Sequence, residues 1–144
     1  MAIKITFLGA GSSVFVRNVL GDCIIHPELE DLTFALYDID AQRLEDSYLM
    51  LHAICAHYGK SVKMEKYVGV EELPQALTGA NFLICAIQVG GYDPCTISDF
   101  EIPKKYGLRQ TIADTLGVGG VFRALRTIPV MEMFGKMAEI GRAH

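Results

Sequence analysis

The sequence predicts a doubly wound parallel α/β domain, and three observations carry that prediction. Apolar runs of strand length alternate with segments of helical period across Ile3–Ile87. A glycine-broken turn, Gly9-Ala10-Gly11, follows the first run. An aspartate, Asp38, ends the second run a little over about twenty residues later, a spacing suited to dinucleotide recognition. The 144 residues allow one domain with a proper core, and 51% hydrophobic against 21% charged residues describes a buried globular chain. A net charge of −4 argues against non-specific affinity for nucleic acid or an anionic membrane. No apolar run reaches the roughly 18 residues of a bilayer span. The N-terminus enters a strand without a basic-then-apolar leader, so a cytoplasmic location is expected.

Ile3–Leu8 reads as a strand buried on both faces. Val14–Ile25 reads as a helix with Phe15, Val16, Val19, Leu20, Cys23 and Ile24 recurring at helical spacing, stopped by Pro27. Between them Gly9 permits the tight turn and Gly11 lets backbone approach a phosphate. The helix then aims its unpaired N–H groups at that anion. The third glycine of G-x-G-x-x-G is replaced by Val14.

Thr33–Tyr37 is the second strand, and Asp38 closes it. A carboxylate there accepts both adenosine ribose hydroxyls and repels the 2′-phosphate of NADP, which favours NAD. Asp40 caps the next helix, Ala41–Tyr58, which Gly59 ends. Val62–Val68 is a lysine-rich edge strand, Glu71–Leu77 a short helix, and Asn81–Ile87 a fourth, apolar strand. Right-handed crossovers give the strand order 3-2-1-4. Ligands then bind above the carboxyl ends of the first and fourth strands, where Gln88-Val89-Gly90-Gly91-Tyr92 supplies a second glycine turn.

The long stretch Asp93–Gly120 mixes charges with glycines, which marks a functional connection. Thr96–Tyr106 is partly helical within the limit set by Pro103. Gly119–Ile140 is a long helix with Val121, Ala124, Ile128, Met131 and Met137 near one face, kinked or broken at Pro129. No fifth strand follows, so the sheet is expected to be truncated before it.

Cys23, Cys55 and Cys85 lie in apolar segments and read as small buried hydrophobes, whereas Cys95 lies in a loop. His52 and His57 are five apart and do not share a helix face, so no metal site is predicted.

The segment QVGGYDPCTISDFEIPKKYGLRQTIADTLGVGGVFRALRTIP (Gln88–Pro129), together with GAGSSVF (Gly9–Phe15) and LYDID (Leu36–Asp40), closely resembles glycoside hydrolase family 4. The likeness is strongest to the α-galactosidase (melibiase) branch, with α-galacturonidases nearby. It implies a Rossmann-like domain over residues 1–144 and a glycosidase that uses NAD and Mn²⁺ or another divalent metal. The implied chemistry is oxidation at sugar C3, loss of the C2 proton and the C1 glycosidic oxygen, addition of water and re-reduction. Carried onto this sequence, the resemblance makes Gly9, Gly11, Ser12, Ser13, Val14, Phe15, Asp38 and Ile39 cofactor-binding. It places Gln88, Val89 and Gly90 at the nicotinamide side, and Asp114 on the sugar hydroxyls.

Branches acting on 6-phosphorylated sugars carry an arginine after the glycine pair. Tyr92-Asp93-Pro94-Cys95 has no basic residue, so a non-phosphorylated glycoside is favoured. The family's base and metal ligands fall beyond residue 144, about a third of the way along its length. A truncated, incomplete form without turnover of its own is therefore expected. A homo-oligomer is expected as well, from the open fourth strand and the apolar last helix. Two other readings stand beside this one. The first is a malate/lactate-type 2-hydroxy-acid dehydrogenase, which would want an arginine in the loop that offers Asp93. The second is a non-catalytic NAD-binding remnant.

Overall fold

Four strands, β1 (Ile3–Leu8), β2 (Leu32–Asp38), β3 (Lys63–Val68) and β4 (Phe82–Cys85), form a parallel sheet in the order β3-β2-β1-β4. The computed structural model describes residues 2–110 and 116–141. These fall into two compact units. The first runs to Ile87 and resumes at Met137, and the second is Gln88–Lys136.

In the first unit the sheet register puts Ile3, Ile5 and Phe7 beside Leu32, Phe34 and Leu36. Strand alternation sends these six to one face. There they meet Val16, Leu20 and Ile24 of helix α1 (Ser13–Ile25) and Leu44, Leu51 and Cys55 of helix α2 (Ala41–Tyr58). Each such side chain removed from water contributes about 1.5–3 kcal/mol, so this layer dominates the unit's stability. Asp40 caps α2, its Oδ1 accepting from the N–H groups of Gln42 at 3.0 Å and Arg43 at 3.1 Å. Gly59 closes α2 in the left-handed region at φ 61°.

The opposite face carries polar residues at the β1–β3 side. Thr6 donates to the carbonyl of Ala76 at 2.7 Å, and Lys4 Nζ to that of Thr78 at 2.8 Å. Both hold down α3 (Leu73–Leu77), which follows a helical turn at Val70–Glu72. Thr33 and Ala35 of β2 are small, so Lys4 and Glu65 face each other across that strand at 3.9 Å. Hydrogen bonds from Lys63, at 2.7 Å, and from Tyr67, at 2.9 Å, hold the Glu65 carboxyl below its usual range.

Burial, and next the Glu65 bond, push the Tyr67 phenol up to about 12. The folded chain thus prefers the neutral phenol. That preference contributes stability fully below the ordinary tyrosine pKa of 10.0 and loses it as pH rises through about 12. Urea midpoints measured across that range should fall more steeply for the wild type than for Tyr67→Phe. Parallel curves would remove the phenol from the balance.

Several boundaries differ from expectation. β4 stops at Cys85, and its Phe82, Leu83 and Cys85 are exposed. The apolar run reads like a doubly buried strand, but a strand at the margin of the sheet has one neighbour only. Cys85 is therefore not the buried hydrophobe expected, while Cys55 is. In α1, Phe15 and Val19 stand exposed, and the packed stripe is Val16, Leu20, Gly21 and Ile24.

In the second unit, Gly91–Thr96 is a helical turn interrupted at Asp93, and Cys95 lies in it. Helix α4 (Ile97–Lys105) keeps Pro103 inside it and buries that ring. Helix α5 (Gly117–Gly141), which belongs to this unit as far as Lys136, runs through Pro129 as one element. Of the kink or break expected there, the break is absent, because a proline deletes one N–H without requiring the chain to end its helix. Val121 and Ile128 of α5 are exposed. The carboxylate of Asp99, only 2% exposed, receives both Nη atoms of Arg126 at 2.9 and 2.6 Å.

Candidate functional site

Where β1 ends, two N–H groups converge on one carbonyl. Gly9 and Ala10 both donate to Tyr37 C=O at 2.9 Å, which ties the turn to the end of β2. Gly9 has φ +88°, and a Cβ on it would stand 2.7 Å from the Ala86 carbonyl oxygen. Only glycine satisfies both demands. A Cβ on Gly11 would meet Asp38 Oδ2 at 2.8 Å and Arg43 Cβ at 2.9 Å. The Gly11 N–H donates to Asp38 Oδ2 at 2.6 Å, and the Asp40 N–H donates to Asp38 Oδ1 at 3.0 Å. Two backbone donors thus fix the carboxylate in place. Each of its oxygens keeps a lone pair for a hydroxyl of a bound molecule.

The turn delivers the chain into α1. Ser12 makes no side-chain cap, and the first turn of α1 carries no acidic residue. The positive end of that helix is left to be met by an anion. Val14 is 60% exposed, Phe15 59% and Ile39 76%. These apolar side chains occupy the start of α1 and the residue after β2. The arrangement offers an anion-binding turn, a pinned carboxylate for a diol, and exposed apolar residues suited to a flat ring. Those are the chemical requirements of a phosphorylated nucleoside.

Eight residues expected at the site lie in this one region of the first unit: Gly9, Gly11, Ser12, Ser13, Val14, Phe15, Asp38 and Ile39. Gln88, Val89 and Gly90 belong to the second unit. There Gln88 Nε2 donates to Thr96 Oγ1 at 2.8 Å, and Thr96 Oγ1 to the Gly91 carbonyl at 3.3 Å. Gly90 has φ +89°, and a Cβ on it would collide with Cys95 Sγ. Asp114 lies outside the described residues. Among the described residues, no three His, Cys, Asp or Glu side chains gather to hold a metal ion, and no helix is long and apolar enough to cross a membrane.

Sequence reasoning missed the Asp99–Arg126 pair. No spacing signal links Asp99 to Arg126, which are 27 positions apart.

The family described as family 4 glycosyl hydrolase matches residues 4–141. An alpha-galactosidase of Bacillus subtilis (strain 168) is 57% identical over 128 residues, covering 89% of this chain and 29% of that protein. An alpha-galacturonidase of Thermoanaerobacter italicus (strain DSM 9252 / Ab9) is 34% identical, covering 92% of this chain and 27% of that protein. The 6-phospho-beta glucosidase of Thermotoga maritima, solved with manganese, NAD⁺ and glucose-6-phosphate, superposes with a TM-score of 0.78 at 25% identity. The match covers 95% of this chain and 31% of that one. The chain thus spans less than a third of the length of these relatives.

Proposed function

This chain belongs to family 4 of the glycosyl hydrolases, and we propose that it is the NAD-binding portion of a glycosidase acting on α-galactosides or α-galacturonides. The observation that carries the cofactor assignment is the Gly11–Asp38 clasp. The phosphate turn and the ribose carboxylate are joined by one 2.6 Å hydrogen bond, so a dinucleotide bound to either touches a shared structure. The residues fit the cofactor on their own chemistry. Gly9 and Gly11 leave room that a Cβ would fill. Ser12 and Ser13 present the uncapped start of α1 to the pyrophosphate. Asp38 holds the ribose hydroxyls, and Val14, Phe15 and Ile39 offer exposed apolar surface.

When bound, NAD supplies a hydride acceptor for the sugar ring and a hydride donor at the end of the cycle. Gln88, Val89 and Gly90 border the nicotinamide in this reading, and Asp114 holds sugar hydroxyls. Mn²⁺ or another divalent ion serves the family's chemistry; manganese accompanies NAD⁺ in the Thermotoga maritima relative. The absence of any basic residue in Tyr92-Asp93-Pro94-Cys95 and the 57% identity to an alpha-galactosidase support a non-phosphorylated substrate.

Calorimetric titration of the 144-residue chain with NAD⁺ tests the reading, alongside a glycosidase assay with NAD⁺, Mn²⁺ and a reductant. Binding without turnover is the expected result. Asp38→Ala should weaken binding by about 1–3 kcal/mol, the usual penalty of leaving polar partners unpaired. Unchanged affinity in that variant would sink the ribose assignment, and turnover by the wild-type chain would sink the claim that these residues bind without catalysing.

A further inference from the structure

We propose that Asp99, acting through Arg126, is a positioning residue that sets the relative affinity for NAD⁺ and NADH, because it neutralises the guanidinium packed behind the Gly90 turn. The inference rests on the reading above that puts the nicotinamide at Gln88, Val89 and Gly90, and deepens it.

The pair stands directly behind the turn. Both Nη atoms of Arg126 donate to Asp99, at 2.9 and 2.6 Å, so the carboxylate meets the guanidinium end-on. The remaining nitrogen, Nε, lies on the opposite edge. It is 3.5 Å from the point where a Cβ of Gly90 would stand, and Cys95 Cβ is 2.8 Å from that same point. The thiol side chain and the guanidinium together fill the space that a side chain at position 90 would take. Nε is buried and has no partner among the described residues. The order from the turn inward is therefore Gly90, guanidinium, carboxylate. All of these residues belong to the second unit, with Asp99 on α4 and Arg126 on α5.

The charge of the cofactor changes at the ring that this turn borders. The oxidised nicotinamide is a cation, and the reduced ring is neutral. An uncompensated guanidinium behind Gly90 would repel the oxidised form alone. Paired end-on with a carboxylate, it carries no net charge, and the two opposed fields largely cancel at the ring. The turn thus keeps the large planar group that packs against it without losing NAD⁺. A pair that only braces the helices would influence both oxidation states equally, which separates the two roles.

Titration of the 144-residue chain with NAD⁺, NADH and ADP-ribose tests this directly. In Asp99→Asn, ADP-ribose affinity should stay within about twofold, and NAD⁺ should weaken about threefold or more relative to NADH, a Coulomb effect reduced by solvent screening. Asp99→Ala should give the same shift, and it serves where the Asn amide facing the Nη donors prevents folding. Asp99→Asn combined with Arg126→Gln removes both charges and should return the NAD⁺ to NADH ratio to that of the wild type. An unchanged ratio in the Asp99 variants overturns the proposal and leaves the cofactor reading intact. Equal weakening of all three ligands also overturns it, because the pair would then act through the fold. Persistence of the shift in the double variant overturns it as well. Should the wild type hold NAD⁺ and NADH no more tightly than ADP-ribose, the placement of the nicotinamide at the Gly90 turn and this proposal fail together.

Discussion

Gly9→Ala should destabilise the first unit by about 2–4 kcal/mol and abolish measurable NAD⁺ binding, as read by urea unfolding and calorimetry. Two penalties add. Gly9 sits at φ +88°, where an L residue is strained. Its Cβ would also press to 2.7 Å on the Ala86 carbonyl oxygen, which is backbone and cannot swing away. Relief requires β1 and the end of β4 to move apart, although Ala86 donates to Leu8 at 2.8 Å across that junction. Gly59→Ala separates the two penalties. Gly59 has φ +61°, and a Cβ added there would meet nothing within 4 Å. Its variant therefore bears only the conformational part, about 1–2 kcal/mol. Equal losses in the two variants would remove the close approach to Ala86 as a cause.

Asp99→Ala should loosen the second unit by about 2–4 kcal/mol. The variant strips both acceptors from Arg126, whose two Nη atoms donate at 2.9 and 2.6 Å. The Nε of Arg126 is already buried without a partner among the described residues. Breaking a fully buried pair costs about 3–5 kcal/mol. The Arg126 side chain is 27% exposed and regains some water, which lowers the expected figure. Asp99→Asn keeps one acceptor and should lose about half as much. Limited proteolysis of residues 97–136 reads the effect directly, and cleavage rates equal to wild type would show the pair to be dispensable.

The central sheet was legible because its signals are local. An unbroken apolar run such as Ile3–Leu8, a capping residue such as Asp40 and a terminating glycine such as Gly59 each declare themselves within a few positions. The strand order followed from crossover handedness. Misreadings arose where burial depends on a distant neighbour. Cys85 looks buried by composition, yet it is exposed on a strand at the sheet's margin. Pro103 was expected to limit its helix and Pro129 to kink or break the next, yet α4 and α5 run through them. At the candidate site, Gly11 and Asp38 were singled out by their spacing, and the structure joins them by a hydrogen bond.

The position of β1 inside the sheet also governs the order of assembly on the ribosome. β1 is made first, but its two flanking strands arrive at different times: Leu32–Asp38 early, Phe82–Cys85 late. At about 5–20 residues per second, the wait between completing Val68 and reaching Phe82 is roughly one to three seconds. Throughout it, one margin of the central strand has no native partner, although Ile5 and Phe7 are already made. Asn81 ends that interval from both sides. Its side-chain oxygen accepts the Lys4 N–H at 2.7 Å, and its own N–H donates to the Lys4 carbonyl at 2.8 Å. The nascent chain thus carries a clasp immediately ahead of the strand that closes its oldest gap.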